Sequence, residues 1–492
     1  MRHYAASLLV TSFLLLAAGG VPSTVMGQDA PAKPSVSKQE GATVQGIWLG
    51  ILEVSGIKLR LALKVSKDST GALSAKLDSI DQGASNLQMD SINQQGSSVH
   101  FETKEMGLSY DGTLNDSGTE IAGTFKQGPA LLPLVFKRTD AAPTLGRPQD
   151  PQKPYPYDEE EVGYENKTDR VHLAGTLTLP RSKGPHPAVL LITGSGSQDR
   201  NETIAGHRPF LVLADYLTRH GIAVLRVDDR GIGGSSMGAI TATSENFAGD
   251  VLAGVEYLKT RKEIDPKQIG LAGHSEGGLI APMVAVRSPD VAFIVLIAGL
   301  GQTGEDVIHT QDELLERAEG ASEYTISQTR IALKRTFAIL KAEPDNVVAE
   351  RRIRETFTRQ LSEMSAEQRK GFAPVETMIN SQITTVYLSP WFRFFLAFDP
   401  RPTLMRVKIP VLAVNGERDL QVSAKENLPL ISAALKAGGN KDFTTVVLPK
   451  LNHLLQTSET GAPTEYGETQ ETMAPLALVT ITSWILRHTT PR

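Results

Sequence analysis

The sequence predicts an α/β chain: a mostly parallel sheet flanked by helices, interrupted by a helical cap insertion and preceded by a small antiparallel all-β domain. Three observations carry that expectation. Residues 43–138 are short alternating segments broken by Gly, Asn, Asp and Ser. From residue 158 onward, continuous apolar runs alternate with helical patterns. Between the two regions, over residues 139–157, stand Pro143, Pro148, Pro151, Pro154 and Pro156, the composition of a stiff, extended linker.

The chain opens on Met1-Arg2-His3, a mostly apolar run from Ala5 to Ala18, and small residues leading to Val25-Met26-Gly27-Gln28. A basic start, a short apolar core and small residues before the cleavage point describe a secretory signal peptide over residues 1–27. That core is too short to cross a bilayer. Export to the periplasm or beyond is the expectation. No later segment offers about 18 uninterrupted apolar residues, so no membrane span is expected after cleavage.

In the all-β region, Ile57 to Val65 places apolar residues at every second position, and Ser98-Val99-His100-Phe101-Glu102 does the same. Asp111-Gly112 and Asp116-Ser117-Gly118 supply turns between such segments. His100 and Asp81 form no recognisable catalytic cluster, so a structural or substrate-positioning role is expected of this domain.

The second region, residues 158–490, carries strand patterns at Val171–Leu179, Ala188–Ile192, Ile222–Val227, Ile269–Ala272 and Ala292–Ile297, and later at Ile409–Val414 and Thr444–Leu448. The unbroken apolar character of the first five means burial on both faces, as in a parallel sheet covered by helices. Pro209–His220 and Phe247–Arg261 are the first such helices. Residues from about 301 to 406 lack strong strand runs and place charges at helical spacing, which reads as an insertion. Trp391, Phe394, Phe395 and Phe398 share one face near its end. That face is expected to pack the insertion onto the main domain, and it is compatible with a wall for an acyl pocket.

A formal charge of −5 provides no broad positive field for phosphates, so nucleic acid is not an expected partner. The chain has no cysteine, which removes disulfides, thiolate metal sites and cysteine nucleophiles together.

The chemistry begins where strand Ile269–Ala272 runs into Gly273-His274-Ser275-Glu276-Gly277-Gly278 and then into a helical segment, Leu279–Val286. A G-x-S-x-G sequence at a strand-to-helix turn presents the serine hydroxyl at the carboxyl edge of a sheet, beside the backbone N–H groups of a helix start. Ser275 is therefore the candidate nucleophile. A serine hydroxyl needs a base, and the base an orienting acid. In hydrolases built on such a turn the acid follows a later strand and the histidine follows the last one. Ile409–Val414 leads into Asn415-Gly416-Glu417-Arg418-Asp419, and Thr444–Leu448 into Pro449-Lys450-Leu451-Asn452-His453. His453 is the candidate base in preference to His309 and His488. Asp419 is the candidate acid, with Glu417 as its competitor.

An oxyanion hole needs the N–H after the nucleophile and a second from a loop after an early strand. Glu276 provides the first, and Ser195 or Gly196 in Thr193-Gly194-Ser195-Gly196-Ser197 the second. Neither that loop nor Asp228-Asp229-Arg230-Gly231-Ile232-Gly233-Gly234-Ser235 has the spacing of a dinucleotide fingerprint, so no cofactor is expected. The latter reads as a structural turn with Asp229 and Arg230 in local ion pairs.

Gly194 to Asn201, Asp228 to Gly233, Gly273 to Gly278 and Gly416 to Asp419, in this order, resemble the bacterial EstD-type α/β-hydrolase esterases, related to the serine aminopeptidase S33-like group. The resemblance covers roughly residues 160–490. It implies an α/β-hydrolase fold, carboxylesterase activity on a small-molecule ester, a triad of Ser275, Asp419 and His453, a helical cap and no cofactor. Thr193 departs from the histidine that many such hydrolases place before the oxyanion-loop glycine. The enzyme alternative is an aminopeptidase or amidase, whose amine subsite Glu313, Glu316 and Glu319 are placed to form. An envelope binding protein with an idle hydrolase domain is the alternative of another class, opposed by the three triad positions.

Overall fold

The computed structural model describes residues 43–54, 57–81, 84–104, 106–127, 130–143 and 146–489; the expected signal peptide lies outside the described residues. The chain divides into two compact units. One comprises Arg147–Thr203 and His207 onward, and the other the described residues from 43 to 146 together with Ile204–Gly206.

The smaller unit is a nine-stranded sheet: β1 Gly46–Val54, β2 Ile57–Lys67, β3 Leu73–Ser79, β4 Ala84–Gln88, β5 Ser91–Gln95, β6 Ser98–Thr103, β7 Leu108–Leu114, β8 Glu120–Gln127 and β9 Ala130–Thr139. The strand order is β4-β3-β2-β1-β9-β8-β7-β6-β5, with every pairing antiparallel. Alternation decides what is inside: along β6, Val99 and Phe101 are buried while Ser98 is exposed. They join Trp48, Leu63, Tyr110 and Phe136 in one core. Tyr110 satisfies its hydroxyl there by donating to the carbonyls of Ile121 and Leu134, each at 3.0 Å. His100 and Asp81 each sit in a pair, with Asp111 at 2.7 Å and with Arg60 respectively.

The larger unit is an eight-stranded mixed sheet: β10 Tyr157–Asn166, β11 Val171–Pro180, β12 His186–Ile192, β13 Ala223–Val227, β14 Ile264–His274, β15 Val291–Ile297, β16 Val411–Gly416 and β17 Phe443–Leu448. The order is β10-β11-β13-β12-β14-β15-β16-β17. Strands β12 to β17 pair in parallel. β11, expected as a parallel strand, runs antiparallel to both its neighbours. An apolar run reports burial on two faces and not direction. β10 is unforeseen because Asp158, Glu159, Glu160 and Glu161 make it polar, as suits a sheet edge.

Successive residues of the central strands go to opposite faces. Leu190, Ile192, Leu271, Ile294 and Leu296 enter one core with helices Ser244–Lys259 and Glu276–Ala285. Val189, Leu191, Ala272, Val295 and Ile297 enter the other, with helices Pro209–Arg219 and Pro475–Thr489. This is the α/β-hydrolase architecture that the motifs imply.

Between β15 and β16 lie the inserted helices Gly304–Ala318, Glu323–Ala342, Asn346–Ser362, Ala366–Gln382, Pro390–Ala397 and Arg401–Leu404. Thr303, Ser322, Asp345, Ser365 and Ser389 each accept a backbone N–H at the start of one of them, which sets where the helices begin. Phe337, Phe357, Phe372 and Phe392 form a core of their own. Phe395, with Trp391, Phe394 and Phe398 around it, packs instead on the sheet-face core, as the shared helix face predicts. Among the described residues no helix is long and apolar enough to cross a membrane.

Candidate active site

Ser275 directly follows β14 and stands at the N-cap of the helix Glu276–Ala285 with φ +53° and ψ −114°, a backbone state that L residues rarely adopt. Its own N–H donates to Ile297 O at 2.8 Å. Glycine is obligatory on either side of it. A β-carbon on Gly273 would stand 2.0 Å from Gly277 O, and one on Gly277 would stand 2.2 Å from Ile192 O. The turn is thus wedged against the end of β12, where the candidate oxyanion loop begins.

His453 lies on the loop after β17 and Asp419 on the loop after β16, both buried. Asp419 Oδ2 faces His453 Nδ1 at 2.9 Å, while its Oδ1 accepts the N–H groups of Gln421 and Val422 at 2.9 and 2.8 Å. Glu417 is exposed and accepts Lys450 N–H at 2.8 Å, so of the two candidate acids Asp419 meets the imidazole. His309 stays within the insertion beside Phe337, and His488 stacks on Trp484. The base loop lies against the residue that precedes Ser275: the rings of His274 and His453 have centroids 4.6 Å apart and His274 Nε2 meets His453 O at 3.1 Å. Among the described residues the Ser275 hydroxyl and the His453 ring are not hydrogen-bonded to each other.

Gly194 faces the turn: a β-carbon built on it would stand 3.3 Å from Ser275 Cβ. Its N–H is occupied by Glu202 Oε1 at 2.7 Å. The next two N–H groups, of Ser195 and Gly196, have no acceptor among the described residues. Glu276 opens its helix, so its N–H has no intrahelical acceptor either. These are the three donors expected from the sequence, two on the loop and one after Ser275.

Asp229 corrects one expectation. Among the described residues it enters no ion pair but holds the candidate oxyanion loop, accepting Thr193 Oγ1 at 2.8 Å and Gln198 N–H at 2.9 Å. Arg230 does pair locally, with Asp169 and Asp250, each at 2.6 Å. Asp228 pairs with Arg200 at 2.7 Å.

Two further side-chain clusters at the site, around Glu276 and around Glu202, have no sequence signature. Glu276 is 2 % exposed, and its carboxyl Oε1 accepts Ser244 Oγ at 2.6 Å and Trp391 Nε1 at 2.8 Å. Burial pushes this carboxyl above the usual range, with the hydrogen bonds from Ser244, Trp391 and Ser195 opposing the shift. Glu202 accepts His274 Nδ1 at 2.9 Å, and His274 Nε2 meets His453 O at 3.1 Å. Of the three acids named for an amine subsite, two are engaged within the insertion: Glu313 pairs with Arg317 and Arg330, and Glu316 accepts Thr329 Oγ1 at 2.6 Å, while the buried Glu319 Oε1 has no partner among the described residues.

Residues 208–367 match the family model described as serine aminopeptidase, S33. Esterase EstD of Thermotoga maritima is 27% identical over 295 residues, 60% of this chain; the match spans 61% of that relative's length. Among solved structures, the Pyrococcus furiosus esterase Pf2001 is similar with a TM-score of 0.39 and 16% identity, over 68% of this chain and 92% of that one. The α/β hydrolase GrgF from Penicillium sp. sh18 gives 0.42 and 16%, over 68% and 99%.

Proposed function

We propose that this chain, an α/β-hydrolase akin to the S33 serine aminopeptidases and the EstD esterase, cleaves small carboxylic esters through an acyl-enzyme on Ser275. The observation that carries the reading is a strained serine turn and a buried Asp419–His453 pair at the carboxyl edge of one sheet, with backbone donors that have no acceptor among the described residues. Ser275 Oγ attacks the ester carbonyl as its proton passes to His453 Nε2. Asp419 holds Nδ1–H and stabilises the imidazolium without taking the proton. The tetrahedral oxyanion is received by Glu276 N–H and the Ser195 or Gly196 N–H. His453 then protonates the departing alkoxide, and water, deprotonated by the same imidazole, releases the acid and regenerates Ser275. The N-terminal sequence supports action in the periplasm or outside the cell.

Esters are preferred to peptides because two of the three acids nearest to an amine-subsite pattern, Glu313 and Glu316, are engaged in the insertion's own packing. A fluorophosphonate probe is expected to label the mature protein at Ser275 alone, and Ser275→Ala to abolish both labelling and turnover of short-chain aryl esters. Labelling that survives the substitution would overturn the assignment. Faster cleavage of aminoacyl anilides than of aryl esters would move the reaction to the peptidases.

A further inference from the structure

Outside the proposed triad, the chain buries a second histidine–carboxylate pair within the same few ångströms, and acyl transfer by Ser275, His453 and Asp419 does not call for it. We propose that His274 and Glu202 are positioning residues. His274 stands as an imidazolium that grips the carbonyl of His453, and Glu202 grips both His274 and Gly194, so that one ion pair fixes the nucleophile turn, the base loop and the oxyanion loop to one another. The proposal rests on the serine-hydrolase reading above.

The charge follows from the partners. His274 Nδ1 faces Glu202 Oε1 at 2.9 Å and Nε2 faces His453 O at 3.1 Å. A carboxylate and a carbonyl oxygen only accept, so both ring nitrogens must donate, which the imidazolium alone does. The pair is sealed, with His274 5 % and Glu202 1 % exposed. Desolvation opposes a cation in such a place, but the Glu202 charge and hydrogen bond, the His453 carbonyl and the Asp419 charge outweigh it and hold His274 above its ordinary range. Those groups, with the His453 ring at 4.6 Å between centroids, are the titratable neighbours that face it.

Glu202 carries the same message in its backbone. It holds φ +53°, a conformation that a non-glycine residue keeps only where its surroundings impose it. Its Oε1 is shared between His274 and the Gly194 N–H at 2.7 Å. Gly194 immediately precedes the candidate oxyanion donor Ser195, and His274 immediately precedes Ser275. Loss of the His274 proton would leave Nε2 with a lone pair against the His453 carbonyl, and the base loop would lose its tie to the nucleophile turn.

Imidazole-nitrogen NMR on the mature Ser275→Ala protein tests the charge without depending on turnover. At about pH 8, where an ordinary imidazole is neutral, His274 is expected to carry protons on both nitrogens; a single-proton tautomer would overturn the proposal. Kinetics test the positioning role. In Glu202→Gln the amide oxygen still accepts both donors but carries no charge. The kcat for ester turnover is expected to fall about ten- to a hundredfold, the effect of displacing reacting groups by about 1 Å, with KM little changed and the alkaline limb of the pH profile moved to lower pH. A wild-type profile in Glu202→Gln would refute the role. Absence of ester turnover in the wild type would instead sink the hydrolase reading, and the NMR result would still decide whether the buried ion pair exists.

Discussion

The indole N–H of Trp391 donates to Glu276 Oε1 at 2.8 Å, so a side chain from the inserted helices ends on the carboxyl group of the residue that follows Ser275. Ser244 Oγ is the other donor to that oxygen, at 2.6 Å. A buried acceptor that loses a donor costs about 1–3 kcal/mol. Trp391→Phe is therefore expected to lower stability by about that amount in urea unfolding. In a double-mutant cycle with Glu276→Ala, which removes the acceptor, the two residues should show a coupling of about 0.5 kcal/mol or more.

Glu276→Gln should alter how stability depends on pH. Burial raises the folded-state value of this carboxyl, so the folded chain binds its proton more tightly than the unfolded chain does. That contribution is fully present below the ordinary glutamate value, about 4.3, and is lost as pH rises through the raised folded one. The amide does not titrate, and its oxygen accepts the same two donors. Denaturation midpoints of the variant should thus gain on those of the wild type as pH increases from about 4.

Asp419→Asn presents an N–H or a neutral carbonyl to His453 Nδ1 in place of a carboxylate. Loss of the imidazole's orientation and of its counter-charge should reduce kcat about 10⁴-fold, the effect of the same change in a serine protease triad. Glu417→Gln, at an exposed side chain that accepts only the Lys450 N–H among the described residues, should leave kcat within about twofold.

Gly277→Ala should be among the most damaging small substitutions in the chain. The new methyl would meet backbone on every near side, with Ile192 O at 2.2 Å and Thr193 O at 2.7 Å, and main chain cannot turn away as a side chain can. A loss of about 3 kcal/mol or more is expected in thermal or urea unfolding, with slower fluorophosphonate labelling of Ser275 because the strand end that yields carries the oxyanion loop.

Much of this site is legible in the sequence because position along the sheet decides it. A buried strand announces itself by an unbroken apolar run, and Ser275 and Asp419 each follow such a run at the carboxyl edge, while His453 follows the shorter, half-exposed edge strand β17. The pairing of Asp419 with His453 needs nothing more than that order. What the sequence hides are partners fixed by tertiary folding alone. Glu202 meets His274 across 72 positions and Trp391 meets Glu276 across 115, and nothing near either residue marks it as different from a surface acid or a packing aromatic. Asp229 beside Arg230 looks like half of a local ion pair, yet the turn sends its carboxyl to the loop after β12. β10 escapes notice for the opposite reason to the central strands: at the edge, its acids face solvent or arginines such as Arg200 and Arg261.

β15 and β16 are hydrogen-bonded neighbours from Ile294↔Val411 to Ile297↔Val414, although the whole insertion separates them in sequence. The chain therefore leaves and re-enters the sheet at a single seam, and whatever lies between the two strands is a cassette. It can be lengthened, trimmed or exchanged without shifting the register of the strands that carry Ser275 and Asp419. Substrate preference can drift in such a lineage while the strand ends stay fixed, and a grafted cap has two local conditions to meet: an apolar face to replace that of Phe395 on the sheet-face core, and a hydrogen-bond donor set down over Glu276.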